Sequence, residues 1–142
     1  MSEAGVYILT TMDGASYCKP VKIGYASDPK KRLGSLQSGN PRRLKLLFYF
    51  PLPYRELARL VEKSFHKTMK RRALLGEWYE IEPADAVRLL CSAVREHIEQ
   101  LMLRVGGSDD QARDLLENSG VLYAEKHLGA LAHDELLAAV HG

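Results

Sequence analysis

One stretch limits what this chain can fold into more than any other: Val21 to Gln37, VKIGYASDPKKRLGSLQ. Val21 and Ile23 alternate with Lys22 and Gly24, the period-two pattern of a half-buried strand. Asp28-Pro29 then marks a helix start. An aspartate there can cap free backbone N–H groups, and proline fits the first helical position. Leu33 and Leu36 fall on one face of that helix, with Arg32 at its edge. Lys22, Tyr25 and Arg32 can therefore converge on one shallow surface where strand hands over to helix. Two cations and a phenol on a shallow surface suit a phosphate better than a core.

The charge balance points the same way. The net charge of +2 divides unevenly: residues 19–72 hold 15 Lys/Arg against 3 acids, and residues 73–142 hold 5 against 13. Positive charge confined to one segment is the footprint of a polyanion site. The bland reading is a solvated basic face; its closeness to a plausible site favours nucleic acid. No apolar run approaches the ~18 residues of a membrane helix. The start MSEAGVYILT has no cationic leader pattern, so a cytoplasmic protein without membrane association is expected. Cys18 and Cys91 lack motif spacing and are expected to be reduced thiols.

Gly5–Thr10 reads as a first strand and Val21–Tyr25 as a second, antiparallel to it, joined by a long connection over Met12–Pro20. A helix follows over 29–38, stopped by Gly39 and Pro41. Leu44–Phe50 is a nearly continuous apolar run, expected to be a buried third strand. A second helix runs from about Pro53 to Met69, its buried stripe formed by Tyr54, Leu57 or Ala58, Val61 and Phe65. Gly76–Ile81 is a turn and a short extended piece, with Trp78 expected to plug the core. Pro83 opens a third helix with Ala84, Val87, Cys91, Val94, Ile98 and Leu101 at helical spacing. Further apolar residues widen that face, which suggests cover by the tail or a partner. Gly106-Gly107-Ser108 is a hinge with Ser108 as N-cap, and the rest reads as short acidic helices. The expected architecture is α+β: a small three-stranded antiparallel sheet flanked by helices over 1–82, with an α-helical extension over 83–142. The extension offers a face to the core, to a second copy or to a protein partner.

Four side chains carry the chemistry. Tyr7 and Lys22 come together if their antiparallel strands face them to one side. Phosphodiester hydrolysis needs an activated water, charge stabilisation at phosphorus and help for the leaving oxygen. A phenol is a poor base unless a neighbouring cation such as Lys22 favours its phenolate. Arg32 offers a planar fork for phosphate oxygens. Glu62 offers the hard carboxylate oxygen that Mg²⁺ prefers.

At this point the chain resembles the GIY-YIG nuclease superfamily, and most closely the phage and bacterial branch in which lysine replaces the second tyrosine. The resemblance rests on Gly5-Val6-Tyr7, Lys22-Ile23-Gly24, Asp28-Pro29, Arg32-Leu33, Leu36-Gln37, Asn40-Pro41, Glu62 to His66, and Gly76 to Tyr79. It covers roughly residues 5–82. It implies a DNA endonuclease with Tyr7 as general base for water, Lys22 assisting, Arg32 holding the scissile phosphate and Glu62 binding one Mg²⁺ or Mn²⁺. Tyr25 and His66 stand in second rank. Lys30, Lys31, Arg42, Arg43, Lys63, Lys67, Lys70, Arg71 and Arg72 would contact the nucleic acid.

Plainer readings exist beside these. Lys22 could be an ordinary edge-strand lysine, Arg32 a brace to Asp28, and Glu62 a partner of His66 or Arg59. His66 either braces Glu62 or touches substrate. Glu77 is expected to be a structural partner for a nearby cation or backbone donor. His97, His127, His133 and His141 show no metal-ligand spacing and are expected in solvent. The competing functions are a nucleic-acid-binding module without catalysis and a subunit of a larger DNA-processing complex.

Overall fold

The computed structural model describes residues 3–128; the expected tail helices beyond 128, with His133 and His141, lie outside the described residues. Strand β1 (Ala4–Asp13) turns at Gly14–Ala15 into β2 (Ser16–Ala26), the long connection being strand almost to its tip. Gly14 supplies the positive φ, 61°, that so tight a turn demands. The register shifts between Thr10 and Thr11, whose partners are Val21 and Cys18. Lys19 and Pro20 fall in that gap, where a proline costs the ladder no donor. Sequence patterning missed this extension because Cys18-Lys19-Pro20 interrupts the alternation that identifies a strand.

Helix α1 (Pro29–Ser38) begins as expected, with the Asp28 carboxylate accepting from the Lys31 backbone N–H at 3.1 Å. None of its residues is fully buried. It is held instead at its end, where Gln37 accepts from the Leu44 N–H and donates to the Arg42 carbonyl, both at 2.8 Å. Strand β3 (Leu44–Leu52) follows, then α2 (Arg55–Thr68), β4 (Trp78–Tyr79), α3 (Pro83–Val105), α4 (Asp109–Ser119) and helical backbone over 121–128. The sheet is antiparallel in the order β3-β1-β2-β4. Its fourth strand, only two residues long, is the one the three-stranded expectation lacked. β3 lies at an edge and is only partly buried, so its apolar run does not mark a central strand.

One face of the sheet carries Ala4, Val6, Ile8, Val21, Ile23 and Phe50 into the core. Leu57, Ala58, Val61 and Phe65 of α2 pack there; the expected stripe holds except that both Leu57 and Ala58 are buried and Tyr54 stands before the helix, partly buried. Helix α3 joins the same core through Ala84, Val87, Cys91, Val94 and Ile98. Trp78 does not plug the core. The register pairs Lys22 with Trp78 and Val21 with Tyr79, so the indole turns to the other face and Tyr79 is the fully buried ring. Ser108 caps α4 in a reciprocal box with Gln111, and Leu116 closes it onto the core.

Candidate active site

The second face of the sheet is built by two tyrosines that each cross a glycine. Tyr7 pairs with Gly24 across β1 and β2. A Cβ on Gly24 would meet the Tyr7 hydroxyl and lie 2.5 Å from its ring carbon Cζ. Tyr49 crosses Gly5 in the same manner, where an added Cβ would lie 2.6 Å from Tyr49 Cζ. Its hydroxyl donates to the Ala26 carbonyl at 3.0 Å. Gly5 and Gly24 are therefore passages for neighbouring rings rather than flexible joints. Gly24→Ala is expected to displace Tyr7 and destabilise the protein by about 1–3 kcal/mol, the range for overpacking. Gly34→Ala, where nothing lies within 4 Å, is expected to stabilise by about 0.5–1 kcal/mol. Denaturant midpoints of the two variants check the contrast.

Tyr7 is 2% exposed and Lys22 5% exposed. Burial pushes the phenol above its ordinary pKa, against the opposing pull of the Arg32 guanidinium. Arg32 is the cation whose pull on the phenol opposes the effect of burial. Burial also pushes the Lys22 ammonium down, countered by Glu77 and Glu62. Lys22 sits on an inner strand, not an edge. Its Nζ donates to the Gly76 carbonyl at 2.6 Å, lies 3.8 Å from a Glu77 carboxylate oxygen, and sits 5.7 Å from the Trp78 ring centroid.

Glu62 faces Glu77. Burial raises the Glu62 carboxyl to about 7, and Glu77 adds to this as a like charge and as a hydrogen-bonding partner. Lys22 and Arg59 pull the other way without prevailing. Glu77 has φ 67° directly after Gly76 at φ 68°, so two successive residues are left-handed. That geometry is unfavourable for a residue with a side chain and persists where surroundings impose it. Here it delivers a carboxylate to Lys22 and Glu62. Sequence reading placed Glu77 as a structural partner of a nearby cation, and its Lys22 contact fits that; its position against Glu62 went unforeseen. The signal available was a glycine-acid pair just before an aromatic strand.

A cleft of about 680 Å³ opens beside this cluster, lined by Tyr7, Tyr25, Lys31, Arg32, Arg55 and Glu77 among others. Tyr25 lies under Arg55, whose guanidinium carbon is 5.3 Å from the ring centroid, and Arg55 also donates to the Ser27 hydroxyl at 3.3 Å. Arg55 and Ser27 were not foreseen. His66 meets the buried Tyr79 hydroxyl through Nδ1 at 2.8 Å. Arg59 pairs with Glu56 at 2.7 Å. The Nδ1 atoms of His97 and His127 lie 2.8 Å from the carbonyls of Ala93 and Tyr123. Lys30, Lys31, Arg42, Arg43, Lys63, Lys67, Lys70, Arg71 and Arg72 are all exposed.

Two carboxylates converge here, and the like charge of Glu77 adds to burial in holding the Glu62 carboxyl up; carboxylate oxygens are the kind of donor that Mg²⁺ takes. Among the described residues no group of three or more His, Cys, Asp and Glu converges as a protein cage. A Mg²⁺ site needs none, because such ions keep several waters.

Residues 4–99 match the family model of the T5orf172 domain, and the chain belongs to that family. The matched span takes in the whole sheet, the cluster around Tyr7 and most of α3. No curated protein and no solved structure matches the chain. No helix among the described residues is long and apolar enough to cross a membrane.

Proposed function

We propose that this protein is a divalent-metal-dependent endonuclease of the GIY-YIG type, cutting DNA phosphodiester bonds. The observation that carries the reading is the meeting of a buried phenol, a buried lysine, a guanidinium and two facing carboxylates beside an open, basic cleft. Membership of the T5orf172 domain family favours a nucleic-acid role.

In this reading Arg32 holds the scissile phosphate, and its fixed charge matches the negative charge that grows on phosphorus. Tyr7, ionised to the phenolate, accepts a proton from the attacking water. Lys22, held by the Gly76 carbonyl, keeps the field positive behind the phenol. Glu62, with Glu77 beside it, holds one Mg²⁺ or Mn²⁺. The ion supplies Lewis-acid stabilisation of a phosphoryl or leaving oxygen. The exposed basic residues of α1, α2 and the 70–72 turn engage phosphates along the duplex.

The test is plasmid cleavage. Nicking or linearisation is expected with Mg²⁺ or Mn²⁺ and none with chelator. A wild-type protein as inert as Glu62→Ala under every metal tried removes the enzyme. The burial of Tyr7 favours a second reading, a nucleic-acid-binding module without catalysis. In that case binding falls steeply with salt, and neither Tyr7→Phe nor Glu62→Ala changes it. On the helical side, Leu103, Val105 and Tyr123 are exposed, and a second copy or a protein partner would dock on that side. Light scattering across a dilution series checks self-association.

A further inference from the structure

Leu75 is 94% exposed, the most exposed large apolar residue among those described, and its neighbour Leu74 is 47% exposed. A single apolar side chain in water is commonplace. This one differs in how it is held and in what surrounds it. It stands at the tip of a turn pinned from both sides. The Leu74 N–H donates to the Trp78 carbonyl at 2.6 Å, and the Glu80 N–H donates to the Arg72 carbonyl at 2.8 Å. Ala73 bridges to Tyr79, and the Gly76 carbonyl is held by Lys22 at 2.6 Å. The left-handed pair Gly76-Glu77 turns the chain back towards the cleft, so Glu77 enters the site while Leu75 is left outside. A projection already fixed loses little freedom when it is buried by a ligand.

Its surroundings say which ligand. Lys70, Arg71 and Arg72, all exposed, lie three to five positions before it. Glu77, two residues on, lines the cleft. A protein partner selected for an apolar tip would have to tolerate three adjacent cations. A duplex offers phosphates to those cations and, between its bases, an apolar slot of the right thickness.

The geometry points to Leu75 as a wedge that enters a base step of duplex DNA next to the bond to be cut, with Leu74 behind it. The inference rests on the nucleic-acid reading above and deepens it. It makes the substrate a duplex that can be locally unstacked. Leucine is among the residues that part base steps in this way, at a cost of a few kcal/mol per step. That cost is smallest where a base is already unpaired, so the wedge predicts a preference for bulged or mismatched duplexes over perfect ones.

The test measures binding of the full chain, in chelator so that nothing is cut, to two otherwise identical duplexes. One is perfect, and the other carries a single-base bulge flanked by 2-aminopurine. The wild type is expected to favour the bulged duplex by about tenfold, within the few kcal/mol of one unstacked step, and to raise the 2-aminopurine fluorescence. Leu75→Ala is expected to lose the preference and the fluorescence change. Its affinity for the perfect duplex and its salt slope should stay near wild type. Leu75→Phe is expected to restore both signals. Leu75 has almost no packing to lose, so truncation leaves the fold in place. Salt-sensitive binding with equal affinity for both duplexes, or a preference that survives Leu75→Ala, overturns the wedge alone. The absence of salt-sensitive binding to either duplex overturns the nucleic-acid reading, and the wedge with it.

Discussion

Glu62→Gln is expected to lower metal-dependent cleavage by about 10³-fold, the scale of removing one key stabiliser of transition-state charge. The substitution keeps the volume and the half-buried position on α2. Thermal stability should therefore hold, while Mn²⁺ ceases to raise the melting temperature. The pH dependence gives an independent check. The Glu62 carboxyl is raised to about 7 by burial and by Glu77. An acid whose pKa is raised by folding binds its proton more tightly in the folded chain than in the unfolded one. Its contribution to stability is fully present below the unfolded value, near 4.5, and is lost as pH rises through about 7. In chelator, the wild type should lose stability across that window and Glu62→Gln should lose less. Mn²⁺ should bind more weakly at pH 5.5 than at pH 8, because it competes with that proton. Glu77→Gln removes the like charge, so it should move the onset of cleavage to lower pH. Cleavage by Glu62→Gln at wild-type rates, or metal binding indifferent to pH, would sink this assignment.

Tyr7→Phe is expected to reduce turnover by about 10²–10⁴-fold, the span of a lost general base. The ring still crosses Gly24, so the sheet should keep its register. Removing a hydroxyl with raised pKa deletes a polar atom from a buried place. Stability should change little, and DNA affinity should remain. The wild-type rate should climb towards alkaline pH, since burial keeps the phenol protonated near neutrality. Arg32→Lys should show a partial loss: the charge remains, but the planar fork is gone. Measured turnover of Tyr7→Phe equal to the wild type would remove the phenol from the mechanism.

These two side chains also mark how far a sequence can be read. Tyr7 and Glu62 stood out in one dimension, as a tyrosine two residues after a glycine on a strand and as an acid inside a basic segment. Glu77 carried almost none. Its place against Glu62 comes from a left-handed turn, and no propensity pattern announces a non-glycine residue in that conformation. Trp78 misled for a related reason. Alternation says that Trp78 and Tyr79 face opposite ways, but only the pairing of Lys22 with Trp78 decides which of them enters the core.

Local chemistry written along the chain determined the start of α1 at Asp28-Pro29, the buried stripe of α2, the capped start of α4 and the basic middle segment. Each depends on residues a few positions apart, so the chain order alone is enough. The fourth strand, the tyrosines laid across Gly5 and Gly24, the guanidinium beside the phenol and the two carboxylates face to face were decided only by the tertiary fold. They join residues as far apart as Lys22 and Gly76, and burial and field are properties of what folding brings near, not of what lies next in the chain.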